Sequence, residues 1–310
     1  MITVSVPDTD TADAVGDVGD DARVVVWNPA VEDAPAEHAE GITLACLAHR
    51  TGGRKVYARL RELPNLQAIQ IPSAGYEHAL PYVPDGVALC NARGVHDTRT
   101  AEMALLLALA SQRGLPQFID AQRRETWEPY ETAPSLADKK VLVVGYGSIG
   151  AAIGKRMRAC EATVEGVARS ARTAPDGTTV HAVGDLLTLL PQFDIVVIVT
   201  PHDDTTDRLV NGEFLSSMAD DALLVNVGRG AVVDTDALVA ELQTGRIRAT
   251  LDVVDPEPLP DGHPLYSAPG LVLTPHVAGF AQTTDKRYVA LVHAQIASLR
   301  AGKGPVNRVN

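Results

Sequence analysis

Three residues of complementary chemistry stand just past candidate strands: Arg229 in "ALLVNVGRGAVVD", Glu257 in "LDVVDPEPLP" and His276 in "LVLTPHVAGF". A guanidinium can hold a carboxylate and polarise a carbonyl. An imidazole can give or take a proton near neutral pH, and a carboxylate beside it orients the ring and favours its charged form. Hydride transfer to a 2-oxoacid needs these three services, because the substrate carries a carboxylate and its oxygen becomes an alkoxide. Singly, each residue has an ordinary reading: Arg229 as a salt-bridge partner, Glu257 as a solvated loop acid, His276 as a structural histidine. Their occurrence at successive strand ends favours the chemical reading.

A second motif says what could deliver a hydride. In "KKVLVVGYGSIGAAIGKRM", Gly145, Gly147 and Gly150 form G-x-G-x-x-G between a buried-type strand and a helix. That context makes the motif specific for a dinucleotide. Gly145 permits the turn, Gly147 leaves room for a pyrophosphate, and Gly150 lets helix and strand pack closely. The amides at the helix start, Ser148, Ile149 and Gly150, then face the anion. The alternative is a glycine-rich turn without a ligand.

The next strand ends in "VEGVARSAR", where an NAD-binding chain normally places an acid. Here stand Ala168, Arg169, Ser170 and Arg172. Without the acid, a 2′-phosphate is no longer repelled, and the arginines and serine can receive it. NADP(H) is therefore the expected cofactor, with NAD(H) possible. Ordinary solvated loop arginines are the competing reading.

These residues need a scaffold. Short β-rich runs alternate with helical segments, the mark of parallel sheets flanked by helices. The first part offers "RVVVWN", "TLACLAH", "LQAIQIP" and "VALCN". The middle offers "KKVLVVG", "TVEGVA", "FDIVVIVT", "ALLVNV", "ATLDVV" and "LVLTPH", enough for a full dinucleotide-binding sheet. The expected fold is α/β: two Rossmann-like domains with parallel sheets, the cofactor domain doubly wound and the active site in the interdomain cleft. Residues 1–97 plus 281–310 form the expected substrate domain and 98–280 the cofactor domain. "TRTAEMALLLALASQRG" is too apolar all round for a surface helix and should lie between domains or subunits. "AQTTDKRYVALVHAQIASLRAG" reads as one terminal helix with Thr283 or Thr284 near its cap. The acidic run "DTDTADAVGDVGDDA" reads as a solvated face or loop.

The motifs "GYGSIG", "ALLVNVGRGAVVD", "LDVVDPEPLP" and "TPHVAG" occur in the order and spacing of the D-isomer-specific 2-hydroxyacid dehydrogenases, and the chain resembles that family, including glyoxylate/hydroxypyruvate reductases. The resemblance is close from "CNARGVHDTRTAEMALLLALA" through "TPHVAGF" and looser before. It implies that Arg229 fixes the substrate carboxylate and polarises the carbonyl, that His276 is the acid/base, and that Glu257 pairs with it. It puts Asp252 near the nicotinamide carboxamide, and Thr200, Pro201, Val227 and Gly228 along the cofactor by their main chain, with Thr100 and Gly279 also at the cofactor. It assigns the substrate carboxylate to the amides of Ala74, Gly75 and Tyr76 in "IPSAGYEHAL". Such a run of small residues suits an anion nest, although it also suits a strand-ending turn. Tyr76 replaces a smaller aliphatic residue of many relatives.

The chain departs from the family at Ala168 and at "GVHDTRTAE", where His96 either enters the substrate pocket or caps the following helix; the cap is favoured. His202, Asp203 and Asp204 in "TPHDDTTDRL" invite a metal reading, but three adjacent loop residues fit a polar loop better, and no metal is expected. The reading is an NAD(P)-dependent reductase of small 2-oxoacids. Two alternatives stand beside it: a dinucleotide-sensing corepressor-like module, and a dehydrogenase of another small anion such as phosphite or formate.

Bulk properties narrow the partners. A formal charge of -12 disfavours non-specific embrace of nucleic acid or anionic membrane. Cys46, Cys90 and Cys160 suggest neither a disulfide framework nor a zinc site. No signal sequence or membrane span is apparent, so a cytoplasmic protein is expected. The apolar helix 100–113 and "QFIDAQRRETWEPYE" suggest a homodimer through the cofactor domains.

Overall fold

The computed structural model describes residues 1–48, 53–129, 132–280 and 284–310, with side chains of the last segment from 286 onward. The chain divides into two compact units, Met1–His96 with Ala281–Asn310, and Asp97–Phe280. Asp97 opens a helix of the second unit rather than closing the first.

The first unit holds β1 (Ile2–Val6), β2 (Ala22–Val26), β3 (Ile42–Cys46), β4 (Ala68–Gln70) and β5 (Ala88–Cys90), with helices α1 (Thr9–Val15), α2 (Ala36–Ala39) and α3 (Arg54–Leu60). All its strand pairs are parallel, in the order β2-β1-β3-β4-β5. The sequence reading missed β1. Its "ITVSV" alternates with polar Thr3 and Ser5, yet both are buried. Thr3 is bonded through Thr43 and Arg23, which satisfies a hydroxyl that would otherwise be costly to bury. The acidic run after it is partly helical: Asp8 caps α1 by accepting from the Thr11 amide at 2.7 Å.

The second unit contains α4 (Asp97–Gln112), α5 (Leu115–Arg123), β6 (Lys140–Val144), α6 (Ser148–Ala159), β7 (Thr163–Ala168), β8 (Arg172–Thr173), β9 (Thr179–Ala182), α7 (Leu186–Leu189), β10 (Ile195–Ile198), α8 (Gly212–Ser217), β11 (Leu223–Asn226), α9 (Thr235–Gln243), β12 (Arg248–Leu251) and β13 (Leu271–Leu273). Its sheet runs β13-β12-β11-β10-β6-β7-β9-β8, parallel except for β8 against β9. The chain winds outward from β6 to one side and then from β10 to the other. That reversal is the switch point where open α/β sheets bind ligands. The strands β10 and β11 are buried at every residue, as a parallel sheet covered on both faces requires. One face packs on Phe214, Leu215 and Leu238, the other on Ala104, Leu107, Ile153 and Met157. The short strands β9 and, at the edge, β8 carry no long apolar run and were not anticipated.

The helix α4 packs one side on α6 and on β11 and β12. It also packs on α5, and its Leu106 is 53% exposed. The terminal helix α10 (Thr284–Arg300) returns to the first unit, where Tyr288, Leu291, Val292 and Ile296 join its core. The expected cap at Thr283 or Thr284 lies outside what is described.

Candidate functional site

The turn after β6 is shaped by its glycines. Gly145 has φ +102°, and a Cβ there would lie 2.8 Å from the Val199 carbonyl carbon and 2.9 Å from the Thr200 nitrogen. A Cβ on Gly150 would meet the Gly145 oxygen at 2.5 Å, so α6 starts hard against the turn. Gly147 is the N-cap of α6, no side chain caps it, and a Cβ there would meet nothing within 4 Å. The first amides of α6, from Ser148 to Gly150, thus precede the helix's own hydrogen bonding beside open space. Gly228 approaches the Thr200 oxygen closely, and Val227 is buried beside it. The Thr200 hydroxyl oxygen is buried without a hydrogen-bond partner among the described residues, with Pro201 next in the chain. An open, amide-lined turn and an orphaned hydroxyl fit the pyrophosphate and ribose groups of a dinucleotide.

Past β7, Ala168 is half-buried and Arg169, Ser170 and Arg172 are exposed. Neither arginine is idle. Arg169 Nη2 lies 3.1 Å from Asp203 Oδ2, and Arg172 Nη2 donates to the Tyr146 carbonyl at 2.7 Å, within the phosphate loop itself. Tyr146 was not singled out in the sequence. Its hydroxyl lies 2.9 Å from both Asp176 Oδ2 and Thr178 Oγ1, and Arg158 donates to Asp176 at 2.7 Å. Burial pushes the Asp176 carboxyl up, but bonds from Thr178, Tyr146 and Arg158 outweigh it and leave it at about 2. This network ties the phosphate loop to the β8–β9 hairpin.

At the other side of the sheet, Glu257 Oε1 lies 2.5 Å from His276 Nδ1. Both side chains are partly exposed, at 40% and 45%. His276 sits at φ +53°, uncommon for a residue with a Cβ. Its amide donates to the Asp252 carbonyl at 2.7 Å. The Asp252 carboxylate, itself buried, accepts from Thr274 Oγ1 at 2.6 Å, the Val277 amide at 3.0 Å and the Ala278 amide at 2.9 Å. Asp252 therefore builds the histidine loop, a function the sequence did not disclose. Arg229 is held likewise: buried Asn226 donates to the Arg229 carbonyl at 3.0 Å and accepts from the Gly228 amide, while Arg229 Nη1 donates to the Gly228 oxygen at 2.7 Å. A Cβ on Gly230 would fall 1.9 Å from the Val254 oxygen, so the loops of Arg229 and Glu257 meet backbone to backbone.

Thr100 is buried in α4, and Gly279 lies in the turn after His276. In the first unit, the Ala74–Tyr76 loop is anchored by its carbonyls: Asn91 Nδ2 donates to Ala74 O and Ser73 Oγ to Gly75 O, each at 2.7 Å. His96 Nε2 lies 2.6 Å from the Pro72 oxygen at the base of this loop. His202 pairs with Asp207 at 2.8 Å. Among the described residues no group of three His, Cys, Asp or Glu is arranged to hold a metal, and no helix is long and apolar enough to cross a membrane.

The switch-point turn and the Glu–His pair define a dinucleotide-dependent oxidoreductase of α/β class. Residues 104–278 match the family described as D-isomer specific 2-hydroxyacid dehydrogenase, NAD binding domain. The chain is 33% identical over 296 residues to a glyoxylate reductase of Thermofilum pendens, covering 92% of this chain and 86% of the relative. It is 31% identical over 256 residues to the glyoxylate reductase/hydroxypyruvate reductase of Homo sapiens, covering 78% and 76%. A D-isomer specific 2-hydroxyacid dehydrogenase from Xanthobacter autotrophicus Py2, solved with NADPH and MES, superposes with a TM-score of 0.82 at 28% identity, over 100% of this chain and 98% of that one. The chain belongs to the D-isomer specific 2-hydroxyacid dehydrogenases, NAD(P)-dependent oxidoreductases.

Proposed function

We propose that this protein reduces small 2-oxoacids, glyoxylate and hydroxypyruvate foremost, to D-2-hydroxyacids, with NADPH preferred to NADH. The observation that carries the reading is the Glu257–His276 contact, which occupies Nδ1 and leaves Nε2 as the proton-donating atom. NADPH, when bound, supplies the hydride. In the second unit, Arg229 holds the substrate anion and polarises its carbonyl, while Glu257 keeps the imidazole oriented. In the first unit, the amides of Ala74, Gly75 and Tyr76 receive the carboxylate.

For the cofactor, Gly145 to Gly150 take the pyrophosphate, and Arg169, Ser170 and Arg172 take the 2′-phosphate. The main chain of Thr200, Pro201, Val227 and Gly228, with Thr100, Asp252 and Gly279, completes the cofactor site. The names of the relatives support the substrate class, and the solved NADPH complex supports the cofactor. The protein acts as a homodimer through the second unit, whose α4–α5 region exposes Leu106, Leu115, Phe118, Ile119 and Trp127.

Cofactor oxidation with a panel of 2-oxoacids, run in parallel with NADPH and NADH, tests the proposal. Turnover with glyoxylate or hydroxypyruvate and stronger turnover with NADPH is the expected result. Turnover with NADH alone would remove the phosphate pocket and keep the chemistry. Nucleotide binding without turnover of any 2-oxoacid would remove the chemistry.

A further inference from the structure

The loops after β7 and β10 flank the phosphate loop, because β6 lies between those two strands. Strands two spacings apart are separated by about 10 Å. Arg169 nevertheless meets Asp203 at 3.1 Å, so their ion pair spans the opening at the carboxyl end of β6. Asp203 is not a loose partner. Its Oδ1 accepts from the Thr205 amide at 2.9 Å and from the Thr205 hydroxyl at 2.5 Å, and its own amide donates to Thr206 Oγ1 at 2.8 Å. The Thr205 hydroxyl, with lesser help from Arg169, holds the Asp203 carboxyl below the usual carboxylate range. The charge facing Arg169 is therefore fixed in place at neutral pH.

We propose that Asp203 is a specificity-determining residue that restrains the preference for NADPH. It supplies, from the end of β10, part of the acidic character that Ala168 removed from the end of β7. This rests on the proposed 2′-phosphate pocket. A phosphate must displace or share a carboxylate that Thr205 keeps next to Arg169, and it is repelled by that carboxylate as well. Arg169 and Arg172 give the loop a charge of +2, and Asp203 returns it to +1. A nucleotide with a free 2′-hydroxyl meets no such opposition. Arg169 is 83% exposed and Asp203 only 36%, and the exposure of the arginine keeps the expected effect modest.

Calorimetric titration of NADP⁺ and NAD⁺ into the wild type, Asp203→Asn, Arg169→Ala and the double variant tests this. Asparagine keeps an acceptor oxygen for Thr205, so the loop is retained. Asp203→Asn should bind NADP⁺ about three- to fivefold more tightly, bind NAD⁺ unchanged, and lose the gain when Arg169 is also alanine. Unchanged or weaker NADP⁺ binding would overturn the proposal, the weaker result making Asp203 an aid to Arg169. An equal gain for both nucleotides would also overturn it. If the wild type binds both nucleotides alike and Arg169→Ala is silent, the phosphate pocket itself falls, and this inference falls with it.

Discussion

At the β11–β13 side of the large sheet, the proposed chemical groups are held by buried polar side chains. Asn226 bonds the backbone on both sides of Arg229's loop, and Asp252 collects a hydroxyl and two amides of the loop that carries His276. At the β7–β9–β8 side, the proposed phosphate ligands stand in solvent, and Arg169 is met by one carboxylate from a neighbouring loop. The first arrangement fixes atoms where a proton must move over a short distance, and preorganisation is what such a step rewards. The second needs only a net positive charge within reach of a phosphate. On the proposed reading, reaction type rests on buried structure, whereas cofactor choice rests on a loop that a few substitutions can rewrite.

The sharpest way to break this contrast is at the chemical side. His276→Ala should lower kcat for 2-oxoacid reduction by about 100- to 10,000-fold while leaving NADP⁺ binding, read by calorimetry, within twofold. A loss below tenfold would mean that His276 is not the proton donor. Asp252→Ala comes next, and it should damage folding and chemistry together. Removing the carboxylate strands the Val277 and Ala278 amides and the Thr274 hydroxyl, a cost of about 3 kcal/mol. A lowered thermal midpoint with a lowered kcat is expected, and an unaltered midpoint would show the loop to be held by other means.

The phosphate side should respond differently. Arg169→Ala should raise the KM for NADPH about tenfold, the worth of one charge-assisted contact, with the KM for NADH and kcat unchanged. An equal rise for both cofactors would place Arg169 at a part of the nucleotide that the two share.

The sequence disclosed the chemical side better than its supports. Arg229, Glu257 and His276 stood out because each follows an apolar run, and the strands of a covered parallel sheet read as apolar runs. The strand β1 escaped because Thr3 and Ser5 imitate a surface pattern, and for Thr3 it is the Thr43 and Arg23 contacts across neighbouring strands that make burial tolerable. Asn226 and Asp252 lay inside recognised motifs, but Asn226 bonds only the backbone of the turn that follows it, and the Thr274 hydroxyl and the Val277 and Ala278 amides reach Asp252 only when β12 and β13 lie side by side. Asp203 was legible only as a polar loop residue, since nothing along the chain reveals that the ends of β7 and β10 face each other across β6. The same holds for Tyr146, whose partners Asp176 and Thr178 lie thirty or more residues away.

Asp176 offers the finest test of the comparison, because it supports the phosphate side as Asp252 supports the chemical one. Its carboxyl is held at about 2, below the ordinary carboxylate value, so the folded state binds the proton less readily than the unfolded chain. The stabilisation is therefore fully present above about pH 5 and is lost as pH falls from about 4 toward 2. Asp176→Asn should lower the urea midpoint by a constant amount between pH 5 and 7, and the gap should shrink to about half by pH 3. A gap that persists undiminished at pH 3 would assign the effect to packing rather than to charge. At neutral pH the same variant should leave kcat intact and raise the KM for NADPH less than Arg169→Ala does, because Asp176 reaches the pocket only through Tyr146 and the hairpin. A fall in kcat instead would show that the two sides of the sheet are mechanically coupled, and the division drawn between them would have to be given up.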